Sequence, residues 1–163
     1  RPQRATEVRG FSMREIEKAR FVRAAVEKEV LLRAATHCSE ADAKKIDKEI
    51  DKQTKAVASK DHDAFGQLDY DFHKLLCAVA QADYAFDVIS EEKAKVDRLC
   101  ALGFTKEKRM TVLMEDHRLI AEAIKSHDTQ SAVAMGMTHL ARLDETIERI
   151  RTTNANFFDA ADD

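Results

Sequence analysis

Asp69 and His73 stand four residues apart in the stretch Leu68-Asp69-Tyr70-Asp71-Phe72-His73. The surrounding apolar residues recur at helical spacing: Phe65, Leu68, Phe72, Leu75, Leu76 and Val79. On a helix, that spacing stacks the carboxylate and the imidazole one turn apart on a single face. Phe65, Phe72 and Leu76 share this face, so it points inward. A carboxylate buried alone there is costly, and pairing or a metal ion is the usual remedy. Two further histidines interrupt apolar stripes later in the chain: His117 between Leu113 and Ile120, and His139 between Gly136 and Leu143. Asp69, His73, His117 and His139 therefore read as one metal site inside a helical bundle. Neutral imidazole and carboxylate suit a divalent ion, Zn²⁺ first, with Ni²⁺ or Mn²⁺ as alternatives.

Arg23 replaces an apolar residue in the row Ile16, Ala19, Arg23, Val26, Val30, Ala34. It reads either as a snorkelling arginine paired with Glu27 one turn on, or as a cation facing the metal's cavity. In the second reading it would meet the carboxylate of a small molecule bound beside the ion. Arg20 and Arg98 are weaker candidates for the same role, since neither is central in its stripe. His37, His62 and His127 fall at expected helix ends among polar residues and read as solvated or capping histidines. Met110, Met114, Met135 and Met137 read as packing.

Composition limits the elements that can position these groups. The 163 residues hold one Pro and four Gly, and 35% are charged. With abundant Ala, Leu, Glu and Lys, this is the composition of one all-α domain. A net charge of −3 argues against a nucleic-acid binder by bulk charge, although Arg1, Arg4, Arg9, Arg14, Lys18, Arg20 and Arg23 cluster early. The three cysteines are scattered singly, as expected of reduced cytosolic thiols and a cytoplasmic location. No apolar run approaches a membrane span and no signal peptide is visible. The chain does not begin with Met and reads as a piece of a longer protein.

In order, residues 1–11 read as a linker, residues 12–155 as the domain and residues 156–163 as a partly acidic, fraying tail. Ser12 with Glu15 forms a capping box for a helix to about His37, whose apolar face is widened by Phe21, Ala25 and Leu32. Ser39 with Asp42 caps a highly charged helix over about residues 40–59, expected at the outside of the bundle with Ile46, Ile50 and Val57 as anchors. Asp61 or Asp63 starts the central helix, which ends near Ala80. Asp83 caps a fourth helix to about Leu102, with Tyr84, Val88, Ile89, Val96 and Leu99 inward, and Gly103 breaks it. Thr105 caps a fifth helix bearing Val112, Leu113, His117, Ile120 and Ile124. Asp128 caps a last one carrying Ala132, Met135, Gly136, His139, Leu143, Ile147 and Ile150. Short connections between about six helices make an antiparallel bundle.

These residues also resemble a known family. Asp69-x-x-Phe72-His73-x-x-Leu76, then Glu115-Asp116-His117-Arg118-x-Ile120, then a small-residue helix ending His139-Leu140, is similar to the FCD effector domain of GntR-type transcription regulators, the FadR subfamily. Arg23-x-x-Val26-Glu27 resembles that domain's opening motif, and Arg1-Pro2-Gln3 resembles the exit from a winged-helix wing. Asp83 stands where family members often have Asn. The resemblance spans about Phe11 to Ile150. It implies an all-α antiparallel bundle with a central metal held by Asp69, His73, His117 and His139. It further implies a small organic acid effector bound beside the ion and met by Arg23, a homodimer, and DNA contacted through an upstream winged helix-turn-helix domain outside this chain.

Two other functions compete. One is a metal-dependent helical-bundle enzyme, a hydrolase or lyase, since an open metal position can activate water. Against it, no second carboxylate or histidine is legible on the inward face as a general base, and the Glu-x-x-His pairs of di-iron bundles are absent. The other is a metal-free dimerisation module.

Overall fold

The computed structural model describes residues 10–100 and 106–158, apart from the side chains of residues 106–108. Among these residues the fold is an antiparallel all-α bundle of seven helices: α1 (Met13–His37), α2 (Glu40–Ala58), α3 (His62–Val79), α4 (Ala85–Cys100), α5 (Lys106–Lys125), α6 (Thr129–Ala141) and α7 (Leu143–Thr153). A 3₁₀ turn follows at Ala155–Phe157. The expected stop at Gly103 and cap at Thr105 lie outside the described residues.

Helix starts follow local chemistry. The Ser12 hydroxyl accepts from the Glu15 amide at 3.2 Å, and Ser39 and Asp42 form both halves of a capping box. Asp61 caps α3 and Asp128 caps α6. Three connections share one construction without any glycine. Lys60, Gln81 and His127 take φ of 57°, 54° and 59°. The next amide in each case reaches back over the turn: Asp61 N to Ala56 O, Ala82 N to Cys77 O and Asp128 N to Ala123 O, each at 2.9 Å. His127 is further tied down by its Nδ1, 2.8 Å from Ala35 O, so it is a capping histidine with a partner on α1.

α1 runs through the centre and packs against α3, α4, α5 and α6, while α2 covers α3 and α5. The main core gathers Val30, Leu31, Ala34, Phe72, Leu76, Ile89, Ile120 and Ile124. A second cluster joins Ile16, Ala19, Val96, Leu99, Leu143, Ile147 and Ile150 at the end where the chain enters. There Phe11 N donates to Phe157 O at 2.7 Å and the Phe11 and Phe158 rings lie 6.0 Å apart. Packing thus reaches past residues 12–155 on both sides. Gly136 allows α6 its close approach to α1, for a Cβ there would stand 2.1 Å from Leu31 Cδ1.

Several expectations need correction: α4 begins at Ala85 and Asp83 is not its cap, and Met135, read as packing, is exposed. The last helix is two, broken at Arg142, whose amide bonds both Thr138 O and His139 O. Phe21, Ala25 and Leu32 do not widen the buried face of α1: all three are exposed, Phe21 and Leu32 by 76% and 42%. Tyr84 and Val88 do not point inward either, at 72% and 41% exposed; Tyr84 sits in the turn before α4. Ile89, Val96 and Leu99 are buried as expected.

Candidate metal centre

α3 carries Asp69 and His73, α5 carries His117, and α6 carries His139 in its last turn. All four side chains are buried, and one ligand atom from each lies within 4.8 Å of the others. His117 Nε2 is 3.4 Å from His139 Nε2 and 3.4 Å from Asp69 Oδ1. Phe72 stacks on the His117 ring at 4.3 Å between centroids and walls off one side.

The other ring nitrogens decide which lone pairs face the centre. His73 Nδ1 is 2.9 Å from Glu27 Oε2, so it carries the proton and leaves Nε2 basic. His117 Nδ1 donates to Gln53 Oε1 at 2.8 Å; the same amide donates from Nε2 to Leu68 O at 3.2 Å, which fixes its orientation. His139 Nδ1 faces Asp116 Oδ2 at 3.6 Å, too far for a hydrogen bond but correct in direction. Each imidazole is thus backed by an oxygen and turns its Nε2 inward, the arrangement that orients metal-ligating histidines. Burial first, then the neighbouring His139, pushes the His117 imidazolium well below its ordinary pKa, so the ring is neutral and free to coordinate. Burial lowers His139 too, against the opposing pull of Asp116. Burial pushes the Asp69 carboxyl up, but Lys93 above all, with the three imidazoles, holds it well below the usual carboxylate range. This set of an anionic oxygen and three directed nitrogens fits a divalent ion.

Arg23 reaches the centre. Its Nε donates to Glu27 Oε1 at 2.5 Å, and its Nη2 lies 3.1 Å from His73 Nε2. Arg23 is thus paired with Glu27 as expected, but it does not snorkel: the whole side chain is buried and its guanidinium stands beside His73 in the cluster. Arg20 does not join it. It pairs with Asp144 on α7. Arg98 stacks on the Phe11 ring at 4.9 Å, in the second core cluster. A cavity of about 390 Å³ opens beside the cluster, lined among others by Arg23, Asp69, His139, Lys93, Tyr70 and Arg109. His62, expected as a solvated end residue, also lines it.

The sequence reading missed Gln53, Lys93 and Asp116. Lys93 Nζ is buried 2.8 Å from Asp69 Oδ2, also pairs with Asp97, and lies 4.1 Å from the Tyr70 ring centroid. Asp116 sits behind His139 and accepts two 3.2 Å bonds from the Arg142 guanidinium. A signal existed for two of them. Gln53 lies in the stripe Ile46, Ile50, Val57, and Lys93 in the stripe Ile89, Val96, each a polar residue at an apolar position.

An all-α bundle with this buried cluster at its middle matches a known class. The chain belongs to the FCD domain family, whose model matches residues 19–142. It is the effector-binding domain of a GntR-type transcription regulator, a regulatory domain and not an enzyme. Among curated proteins, the HTH-type transcriptional repressor RspR of Escherichia coli (strain K12) is 33% identical over 159 residues, covering 97% of this chain and 69% of that protein. A protein of Shigella flexneri named uncharacterized HTH-type transcriptional regulator YdfH is likewise 33% identical, with 97% and 69% covered. No helix among the described residues is long and apolar enough to cross a membrane.

Proposed function

We propose that this domain senses a small organic acid held between Arg23 and a divalent ion bound by Asp69, His73, His117 and His139, with Zn²⁺ the first candidate and Ni²⁺ or Mn²⁺ next. The observation that carries the reading is the convergence of the four donors within 4.8 Å, with the rings of His73 and His117 held by Glu27 and Gln53 and Asp116 behind that of His139. The ion would supply a Lewis-acidic point for a carboxylate or hydroxyl oxygen. Glu27 offsets Arg23 and Asp97 offsets Lys93, so a divalent ion against Asp69 leaves the centre positive. That favours an anion, and the planar fork of Arg23 suits a carboxylate.

Sensing requires that the effector favour one arrangement of the bundle over another. In this proposal, residues 1–11 lead in from an upstream winged helix-turn-helix domain, and the regulator binds DNA as a homodimer in the cytoplasm. The exposed apolar side chains Phe21 and Leu32 on α1, with Tyr84 in the turn before α4 and Val88 in its first turn, support a second copy as their cover.

The test is elemental analysis of the purified domain, followed by calorimetric titration of a panel of small organic acids into metal-loaded wild type and Arg23→Ala. One ion per chain is expected. Loss of a charge-assisted contact worth roughly 1.5–3 kcal/mol should weaken acid binding about ten- to a hundredfold in Arg23→Ala, with the metal retained. Equal affinity in both proteins would remove Arg23 from the site.

A further inference from the structure

Lys93 is the one buried cation of the centre that comes from α4, while the ligands come from α3, α5 and α6. The two oxygens of Asp69 are divided. Oδ1 faces His117 Nε2 at 3.4 Å, and Oδ2 meets Lys93 Nζ at 2.8 Å. The ammonium is itself held from behind: Asp97 accepts from it, and the Tyr70 ring lies beneath it at 4.1 Å. Tyr70 OH also donates to Asp97 Oδ2 at 3.1 Å, closing the arrangement. Lys93 therefore has little freedom to leave Oδ2.

A carboxylate can give a metal one oxygen or two, and an oxygen already accepting a strong hydrogen bond is the poorer donor. Resting on the metal-centre reading above, we infer that Lys93 is a positioning residue that keeps Asp69 a one-oxygen ligand, so that coordination stays open for an effector entering from the cavity. Lys93 lines that cavity together with Arg23 and His139, so the position it keeps free faces the route by which a small acid arrives. This gives α4 a direct hold on the centre, through a residue that ligates nothing.

The domain loaded with Co²⁺ provides the test, because the visible absorption of that ion reports its coordination. Two probes are titrated: acetate, which is anionic, and imidazole, which is neutral and insensitive to a lost charge. Wild type should bind both. Lys93→Met keeps the length and apolar stem, so it should retain the ion, change the probe-free spectrum, and weaken both probes by about tenfold, the lower end of what outer partners of ligands contribute. Lys93→Gln is too short to reach Oδ2 and should behave the same, which covers the case where Lys93→Met does not fold. Lys93→Arg, which keeps a donor to Oδ2, should restore the spectrum. Unchanged imidazole binding in Lys93→Met and Lys93→Gln would overturn the inference, even if acetate weakened, since Lys93 would then act by charge alone. A wild type that takes up no Co²⁺ would overturn the metal centre itself, a failure distinguished by appearing before any variant is compared.

Discussion

Replacing Gln53 with Met tests the proposed metal centre at a residue outside the four proposed ligands and the cavity beside them. Gln53 is fully buried, accepts from His117 Nδ1 at 2.8 Å and donates to Leu68 O at 3.2 Å. Met fills nearly the same volume, so the cavity cost is small. His117 Nδ1–H then loses the acceptor it has among the described residues, and a buried donor left unsatisfied costs about 1–3 kcal/mol. Leu68 O keeps its helical partner inside α3 and adds little. A loss of about 2 kcal/mol lowers the melting temperature of a domain this size by roughly 4–8 °C.

The effect on metal is separate. Without an acceptor at Nδ1, the neutral ring is free to move its proton to Nε2, and that tautomer cannot coordinate. Affinity should fall about 10- to 100-fold, as is usual when a ligand's outer partner is removed. Competition against a chromophoric chelator measures the affinity, and thermal melts with and without excess chelator measure the stability. Gln53→Glu is the control: it still accepts from His117, so metal affinity should hold, while the carboxylate facing Leu68 O still costs stability. A Gln53→Met protein with wild-type metal affinity would refute the claim that Gln53 directs the His117 lone pair.

Cys77 is completely buried, and burial pushes its thiol from 9.0 up to about 12. At about pH 8 it should resist a thiol reagent that labels the partly exposed Cys100, and react only once the chain is unfolded. Because the native value is the raised one, this thiol's contribution to stability is intact below 9.0 and is lost as pH climbs from there towards about 12, which alkaline melts would detect. Gly136→Ala would gain about 1 kcal/mol in helix propensity but drive a Cβ into Leu31, an overpacking cost of about 1–3 kcal/mol. A net drop of a few degrees in melting temperature is expected; a rise would mean that α6 can retreat from α1. Gln81→Gly, at a φ of 54°, should raise the melting temperature by a similar amount, read in the same assay.

The starts of α1, α2 and α6 were legible because Ser12, Ser39 and Asp128 announce themselves; that of α3 was narrowed to Asp61 or Asp63, α4 begins two residues after the expected cap Asp83, and the shared FCD motifs pointed to the same bundle. The break at Arg142 was not legible. Ala132, Gly136, His139, Leu143, Ile147 and Ile150 form one unbroken stripe with no Gly or Pro at the joint, so the periodicity of α6 runs into that of α7 without a change of phase. Phe21, Leu32, Tyr84 and Val88 misled for a different reason: residue type alone does not distinguish an apolar side chain kept for the core from one left on the surface.

The proposed ligands and their outer partners differ in the same way. His73, His117 and His139 could be grouped because three residues of one chemistry in three inward stripes have few common purposes. Gln53 and Lys93 carried an equal signal of burial, a polar residue in an apolar stripe, but one amide or one ammonium has many possible partners. Periodicity reports the face on which a residue lies and says nothing of the atom it meets 64 residues along, as Gln53 meets His117. Glu27 lies between these cases. It was legible as the partner of Arg23 because both stand on α1 one turn apart, and it was invisible as the partner of His73 because that bond crosses to α3. Local pairs of the centre can therefore be read from spacing, whereas the contacts behind the proposed ligands run between helices, from α1, α2 and α4 and from α5 to α6, and exist only once the bundle has closed.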